Sequence, residues 1–174
     1  MALGVGQPDG RLCRDGGGSV IRPLTPGESE LARGAFGEHL RSDTVRFLGA
    51  PWPVVRAFVP GRWFGRDWIV WPRRTLPPDI AAAPLPLQAL LIHELTHVWQ
   101  AQQGVNLLTG KLRAGDRPAS YEYPTGMDCS WGGLNIEQQA MVVEHRFRLV
   151  RGGAAPAPAD FYDRVCPLGP RIKS

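Results

Sequence analysis

The amino-acid sequence predicts an α+β domain, a small sheet of short strands followed by two long helices. Three observations predict it. Short β-branched and aromatic runs bounded by Pro and Gly occupy residues 44–48, 54–59 and 67–71. Two longer segments with helical apolar spacing follow at about 86–103 and 135–151. The length of 174 residues leaves room for one hydrophobic core and not two.

Taken in order, residues 1–22 contain Gly16, Gly17 and Gly18 without apolar periodicity, so a flexible lead-in is expected. The domain proper is expected over 23–152. It opens with a helix in "LTPGESELARGAFG": Thr25 suits the N-cap, Pro26 the first helical position, and Glu28 completes a capping box. Leu31, Ala35 and Phe36 form its apolar stripe, and Gly37 suits its C-terminal cap. The strands TVRFL, VVRAFV and DWIVW follow. Pro51, Pro53, Pro60, Pro72, Pro77 and Pro78 are expected to keep them short and at sheet edges. The first long helix stops at Gly104 and the second at Gly152-Gly153. A connection of about 30 residues separates them, long enough to be functional or to carry minor structure of its own. The tail, 153–174, is Pro-rich, and its Phe161, Tyr162 and Val165 are expected to pack back on the body.

Composition excludes several classes. Hydrophobic residues make up 43% and charged residues 21%, as in a water-soluble globular chain. The formal charge of +4 comes from scattered Arg, without basic runs or basic–aromatic interleaving, so no nucleic-acid partner is expected. No apolar run is long enough to span a bilayer, and the first residues lack the apolar segment of a Sec signal. A cytoplasmic location without membrane attachment follows as the expectation. Cys13, Cys129 and Cys166 form no CxxC pair and read as ordinary thiols.

The chemistry is carried by "LIHELTHVWQ", which contains His93-Glu94-Leu95-Thr96-His97, the HExxH pattern of zinc peptidases. Residues i and i+4 share a helix face, so His93 and His97 can present two imidazoles to one cation. Glu94, about 100° round from His93, can take a proton from water activated by the ion and pass it to a leaving amine. Two of the chain's four His fall in this motif, and Leu91, Ile92, Val98 and Trp99 flank it as in a buried helix.

An open zinc site needs a third protein ligand. Gln100 and Gln103 stand where the extended HExxHxxGxxH pattern has Gly and His, so the ligand must come from elsewhere. The candidates on the second helix are Glu137, Glu144 and His145. Ile136, Ala140, Val143, Phe147 and Val150 make the apolar stripe of that helix, with both glutamates at its edge and His145 facing away towards solvent. The glutamates are about 10 Å apart along the axis, too far for one ion to take both. Glu137 follows the expected N-cap Asn135, where it could also serve simply as a favourable charge in the first turn.

The blocks "LTPGE", "IHELTHVWQAQ", "YEY" and "LNIEQQAMVVEH" resemble the bacterial vgr-related zinc metallopeptidases, over roughly residues 23–150. These in turn are similar to the zincin-like domain of contractile injection systems. The resemblance implies a compact zincin-like (minimal gluzincin) fold, Zn2+ as cofactor, Glu137 as third ligand and Glu94 as base. It also implies association with a secretion-spike protein and export through a type VI-like machine, while the HExxH chemistry leads to a protein or peptide substrate, with a peptidoglycan cross-link left open. A zinc-binding structural or assembly module that cuts nothing is the alternative.

Secondary candidates complete the set. Tyr121 or Tyr123 could donate to the oxyanion of the tetrahedral intermediate, and Asp128 could orient an imidazole through its second nitrogen. Gln100 and Gln139 could hydrogen-bond within the helix pair. Cys13 could cap the ion as a thiolate latch. Trp63, Trp68, Trp71, Trp99 and Trp131 are expected mostly in the core, a few at a substrate groove.

Overall fold

A computed structural model of the chain describes residues 20–115 and 117–172. Cys13 and most of the predicted lead-in lie outside the described residues. The fold begins earlier than the sequence suggests: strand β1 spans Val20–Pro23. Helix α1 then runs Pro26–Phe36 with the expected ends. The Thr25 hydroxyl accepts from Glu28 N, the Glu28 carboxylate accepts from Thr25 N, and Gly37 takes a left-handed φ of 59°. Glu28 is fully buried and does more than cap. It also accepts from both terminal guanidinium nitrogens of Arg22, at 2.7 and 2.8 Å, and from Ile80 N.

Strands β2 (Val45–Ala50), β3 (Phe58–Trp63) and β4 (Arg66–Pro72) complete a four-stranded sheet of order β1-β2-β4-β3. β1 and β3 are antiparallel to their neighbours, whereas β2 and β4 run parallel, pairing Phe47 with Ile69. β2 and β4 are therefore central, not edge strands. Their prolines sit just outside the ladder or at its last residue, where they remove no internal donor. Pro60 lies within β3, which is an edge, as its missing N–H requires. β3 also lies later than expected. A two-residue turn joins it to β4, with Phe64 at φ 53° and Gly65 at φ 73°. Such turns favour Asn-Gly because both positions need positive φ, so an aromatic at the first position hid the hairpin. Trp63 is exposed on that hairpin, while Trp71 is buried in the core.

Helix α2 spans Leu85–Gln102 and lies between the sheet and helix α4 (Ile136–Val150). Covered on both sides, it buries Leu91, Ile92, Leu95 and Val98 completely. Asn135 caps α4 in a reciprocal capping box with Gln138. Ala140, Val143 and Phe147 of its predicted stripe are buried, but Val150 is 55% exposed at the helix end. The long connection contains a further helix, α3 (Leu107–Ala114), followed by short 3-10 turns. The tail adds α5 (Ala159–Val165), whose Phe161, Tyr162 and Val165 are buried in the common core and which packs on α4. Cys129 and Cys166 are buried free thiols. Among the described residues, no helix is long and apolar enough to cross a membrane.

Candidate metal centre

His93 and His97 occupy one face of α2, 8% and 1% exposed, with ring centroids 5.0 Å apart. Capping by Asn135 starts α4 one residue before Glu137, so the carboxylate leaves the first turn directly opposite the two rings. Glu137 Oε2 lies 3.3 Å from His93 Nε2 and 3.1 Å from His97 Nε2. Donors held tetrahedrally at 2.0–2.1 Å from zinc stand about 3.4 Å from one another. Glu137 stands near that spacing from both imidazoles, and all three donor atoms lie within 4.8 Å of one another, so these residues fit such an ion.

Glu144, weighed above as a rival ligand, instead reaches the other nitrogen of the same ring, with Oε2 3.2 Å from His93 Nδ1. Its second oxygen pairs with Arg148 one turn on. Two glutamates seven residues apart on α4 thus grip both nitrogens of His93. His97 is held differently. Its Nδ1 is 2.8 Å from Gln100 Oε1, while the Gln100 amide nitrogen donates to Ile136 O at 3.0 Å and to Gln139 Oε1 at 2.9 Å. With both donors of Gln100 engaged, its oxygen must accept. His97 Nδ1 then carries a hydrogen, which leaves Nε2, the nitrogen that faces Glu137, as the one available to an ion. Asp128, the expected orienting residue, is exposed on the α3–α4 connection and is replaced in that role by Glu144 and Gln100.

The electrostatics follow from this packing. Burial pushes the His93 imidazole pKa down, but hydrogen bonds to Glu137 and Glu144 and the charge of Glu94 outweigh it, raising it to about 9. Burial would raise Glu137, yet both imidazoles and the Lys111 ammonium hold it well below the usual carboxylate range. Glu144 is likewise lowered: burial acts against His93 and Arg148, and the two cations win. Without a metal, the pocket therefore stores a proton on imidazole between two carboxylates.

Glu94 is buried at 5% exposure, and its Oε2 has no hydrogen-bond partner. It lines a cleft of about 920 Å3 together with His93, His97 and Glu137. The cleft runs between the sheet side, at Ala57, Phe58 and Trp71, and the α3 side, at Lys111, Gly115 and Tyr121. A buried carboxylate oxygen left without a partner is costly, and a water held beside the ion would satisfy it.

The two tyrosine candidates separate. Tyr121 lines the cleft, its ring centroid 6.5 Å from that of His93. Tyr123 is not brought to the site. Its hydroxyl is engaged by His145 Nδ1 at 2.6 Å and by Tyr162 at 2.8 Å, and its ring stacks on Phe161 of α5. His145, expected in solvent, is half-buried for the same reason: the α3–α4 connection carries Tyr123 over that face of α4. Sequence reasoning missed Lys111, because it missed α3. Glu144 had one available signal, its position two turns beyond Glu137 on the same edge of the helix.

No protein-family model matches the chain. Among curated proteins, it is 32% identical over 161 residues to the type VI secretion system spike protein VgrG2b of Pseudomonas aeruginosa, over 84% of this chain. The chain spans 15% of the length of that relative. Among solved structures, it is similar to the effector domain of Pseudomonas aeruginosa VgrG2b, with a TM-score of 0.61 and 30% identity over 75% of each chain.

Proposed function

The chain belongs to the family of the VgrG2b effector domain, and from that premise and the donor geometry we propose that it is a zinc-dependent metallopeptidase of gluzincin type with a zincin-like fold. The observation that carries the reading is the meeting of His93 Nε2 and His97 Nε2 on Glu137 Oε2 beside a carboxylate, Glu94, whose buried oxygen has no other partner.

His93, His97 and Glu137 would hold the ion. Bound zinc supplies Lewis acidity that brings the pKa of water near 7 and polarises a carbonyl. Glu144 and Gln100 fix the two imidazoles in the tautomer that presents Nε2. Glu94 accepts the proton of the attacking water at its free Oε2 and returns it to the leaving amine, so the amide bond is cleaved with no net change in the residue. Tyr121, which lines the cleft, would donate to the developing oxyanion. The substrate is a protein or peptide segment laid in the cleft. The relative is by name a spike protein of a type VI secretion system. Association with such a spike, and export by it, are proposed for this chain on that basis.

The test is digestion of an unbiased peptide library by native protein and by Glu94→Gln, with zinc measured in both. Loss of cleavage with one zinc retained supports the reading. Equal cleavage by both proteins rules it out. A second reading is a non-catalytic zinc-binding assembly module, which the likeness to a spike component favours. It predicts that native protein binds zinc and cleaves nothing.

A further inference from the structure

Lys111 is a charged residue of the cleft to which the proposed reaction gives no part. It sits on α3 next to Gly110, and that glycine sets its position. A Cβ at residue 110 would come 2.8 Å from Ile136 Cδ1 and 3.2 Å from Ile136 Cγ2. Without one, α3 lies flat against the first residue of α4, immediately before Glu137. Asn106 caps α3 by accepting from Thr109 N, and Leu107 is its buried anchor. The close approach brings Lys111 Nζ within 3.8 Å of Glu137 Oε1. The other oxygen, Oε2, is the one both imidazoles face. The two oxygens of one carboxylate are thus turned to different partners, a cation on α3 and the ligand pair on α2.

We infer that Lys111 is a positioning residue whose ammonium reserves Glu137 Oε1, so that the carboxylate offers Oε2 alone to the ion. The inference rests on the metal-binding reading given above. A carboxylate can ligate a cation through one oxygen or through both, and the second oxygen would take the position that substrate and water need. A cation near a metal ion repels it, so Lys111 is badly placed to strengthen binding. Its placement is instead suited to keeping a coordination position open. The side chain is 37% exposed, so removing its charge opens no hole in the core.

Cobalt(II) replaces zinc as a spectroscopic probe, because its visible bands weaken as the coordination number rises above four. The native cobalt protein should show intense bands. Lys111→Met and a second charge-free variant, Lys111→Gln, should show weakened bands and slower loss of cobalt to a chelator. Their peptide hydrolysis should fall tenfold or more, in the range seen when groups that orient metal ligands are removed. Lys111→Arg should restore both the bands and the activity. Superimposable spectra of native and Lys111→Met overturn the inference, as do weak bands in the native protein or an arginine variant that behaves like the methionine one. Failure of the native protein to take up cobalt would instead refute the metal-binding reading. Cobalt uptake without cleavage would refute the peptidase reading, while the spectra would still decide the role of Lys111.

Discussion

Gln100→Met tests whether the network around His97 orients a ligand or only fills the interface between α2 and α4. Gln100 is 1% exposed, and methionine nearly matches its volume, so the cavity contribution is small. The substitution removes three hydrogen bonds, to His97 Nδ1, Ile136 O and Gln139 Oε1. Gln139 is half-buried and can turn to water, and Ile136 O keeps its place in the helix ladder of α4. The His97 Nδ1, on a ring 1% exposed, has no such recourse in either tautomer. One stranded buried ring nitrogen at about 1–3 kcal/mol plus the net loss of the other two bonds at about 0.5–1.5 kcal/mol each gives about 2–6 kcal/mol. For a domain of this size that lowers the thermal midpoint of the metal-free protein by about 4–24 °C. Losing the partner of a ligand's second nitrogen should also weaken zinc binding about 10- to 100-fold. Calorimetric melting in chelator gives the first number and competition with a zinc-binding dye gives the second. A lowered midpoint with native zinc affinity would refute the orienting role and leave Gln100 a packing residue.

The other expectations use independent parts of the molecule. In the metal-free protein the His93 pKa is raised from 6.5 to about 9. The stability this proton contributes is fully present below pH 6.5 and is lost as pH rises through 9. Urea unfolding in chelator should therefore show a less stable protein near pH 9.5 than near pH 6, and no difference would contradict the assignment. Zinc uptake near pH 7.5 should release a proton, read as a binding heat that varies with the ionisation enthalpy of the buffer. Glu28→Ala strands Arg22 and Ile80 N and removes the capping box of α1. It should cost about 3–5 kcal/mol by chemical denaturation, whereas a loss under 1 kcal/mol would show that water replaces the carboxylate. Tyr121→Phe should lower kcat with little change in KM, while Tyr123→Phe should chiefly lower the melting temperature. The reverse pattern would exchange the two roles.

How much of this was legible in the sequence depended on how local the cause was. The ends of α1, the Asn135 cap of α4 and the pairing of His93 with His97 on one face are set by residues within a few positions of one another. Spacing alone reveals them. Helix α3 was hidden because its sequence, LLTGKLRA, gives no core-facing stripe: Leu108 and Leu112 are 80% and 83% exposed, and Gly110 interrupts it. The parallel pairing of β2 with β4 joins strands separated by β3 in the chain, and nothing in either strand specifies its neighbour. Glu144 and His93 are 51 positions apart, and their contact depends on how α4 crosses α2. Helix α4 and the Gln100–Gln139 contact across the helix pair could therefore be found from sequence, but the grip of Glu144 on His93 and of Gln100 on His97 could not.

The choice between a catalytic and a structural ion turns on what surrounds the three donors. A structural zinc site is closed by a fourth protein ligand, and among the described residues Glu144 and Glu94 are the two further carboxylates that line the cleft. Glu144 is committed on both oxygens, to His93 Nδ1 and to Arg148, so moving onto an ion would strand a buried imidazole and a guanidinium. Glu94 keeps a buried oxygen without a partner on the wall of a 920 Å3 cleft. A fold that relied on zinc as a clamp would use that oxygen to close the site, and would unfold when the ion was removed. Here α2 is buried between the sheet and α4 by Leu91, Ile92, Leu95 and Val98, independently of any ion. Chelation should therefore leave the circular-dichroism spectrum at 25 °C unchanged while abolishing cleavage, and collapse of the helical signal on chelation would favour the structural reading instead.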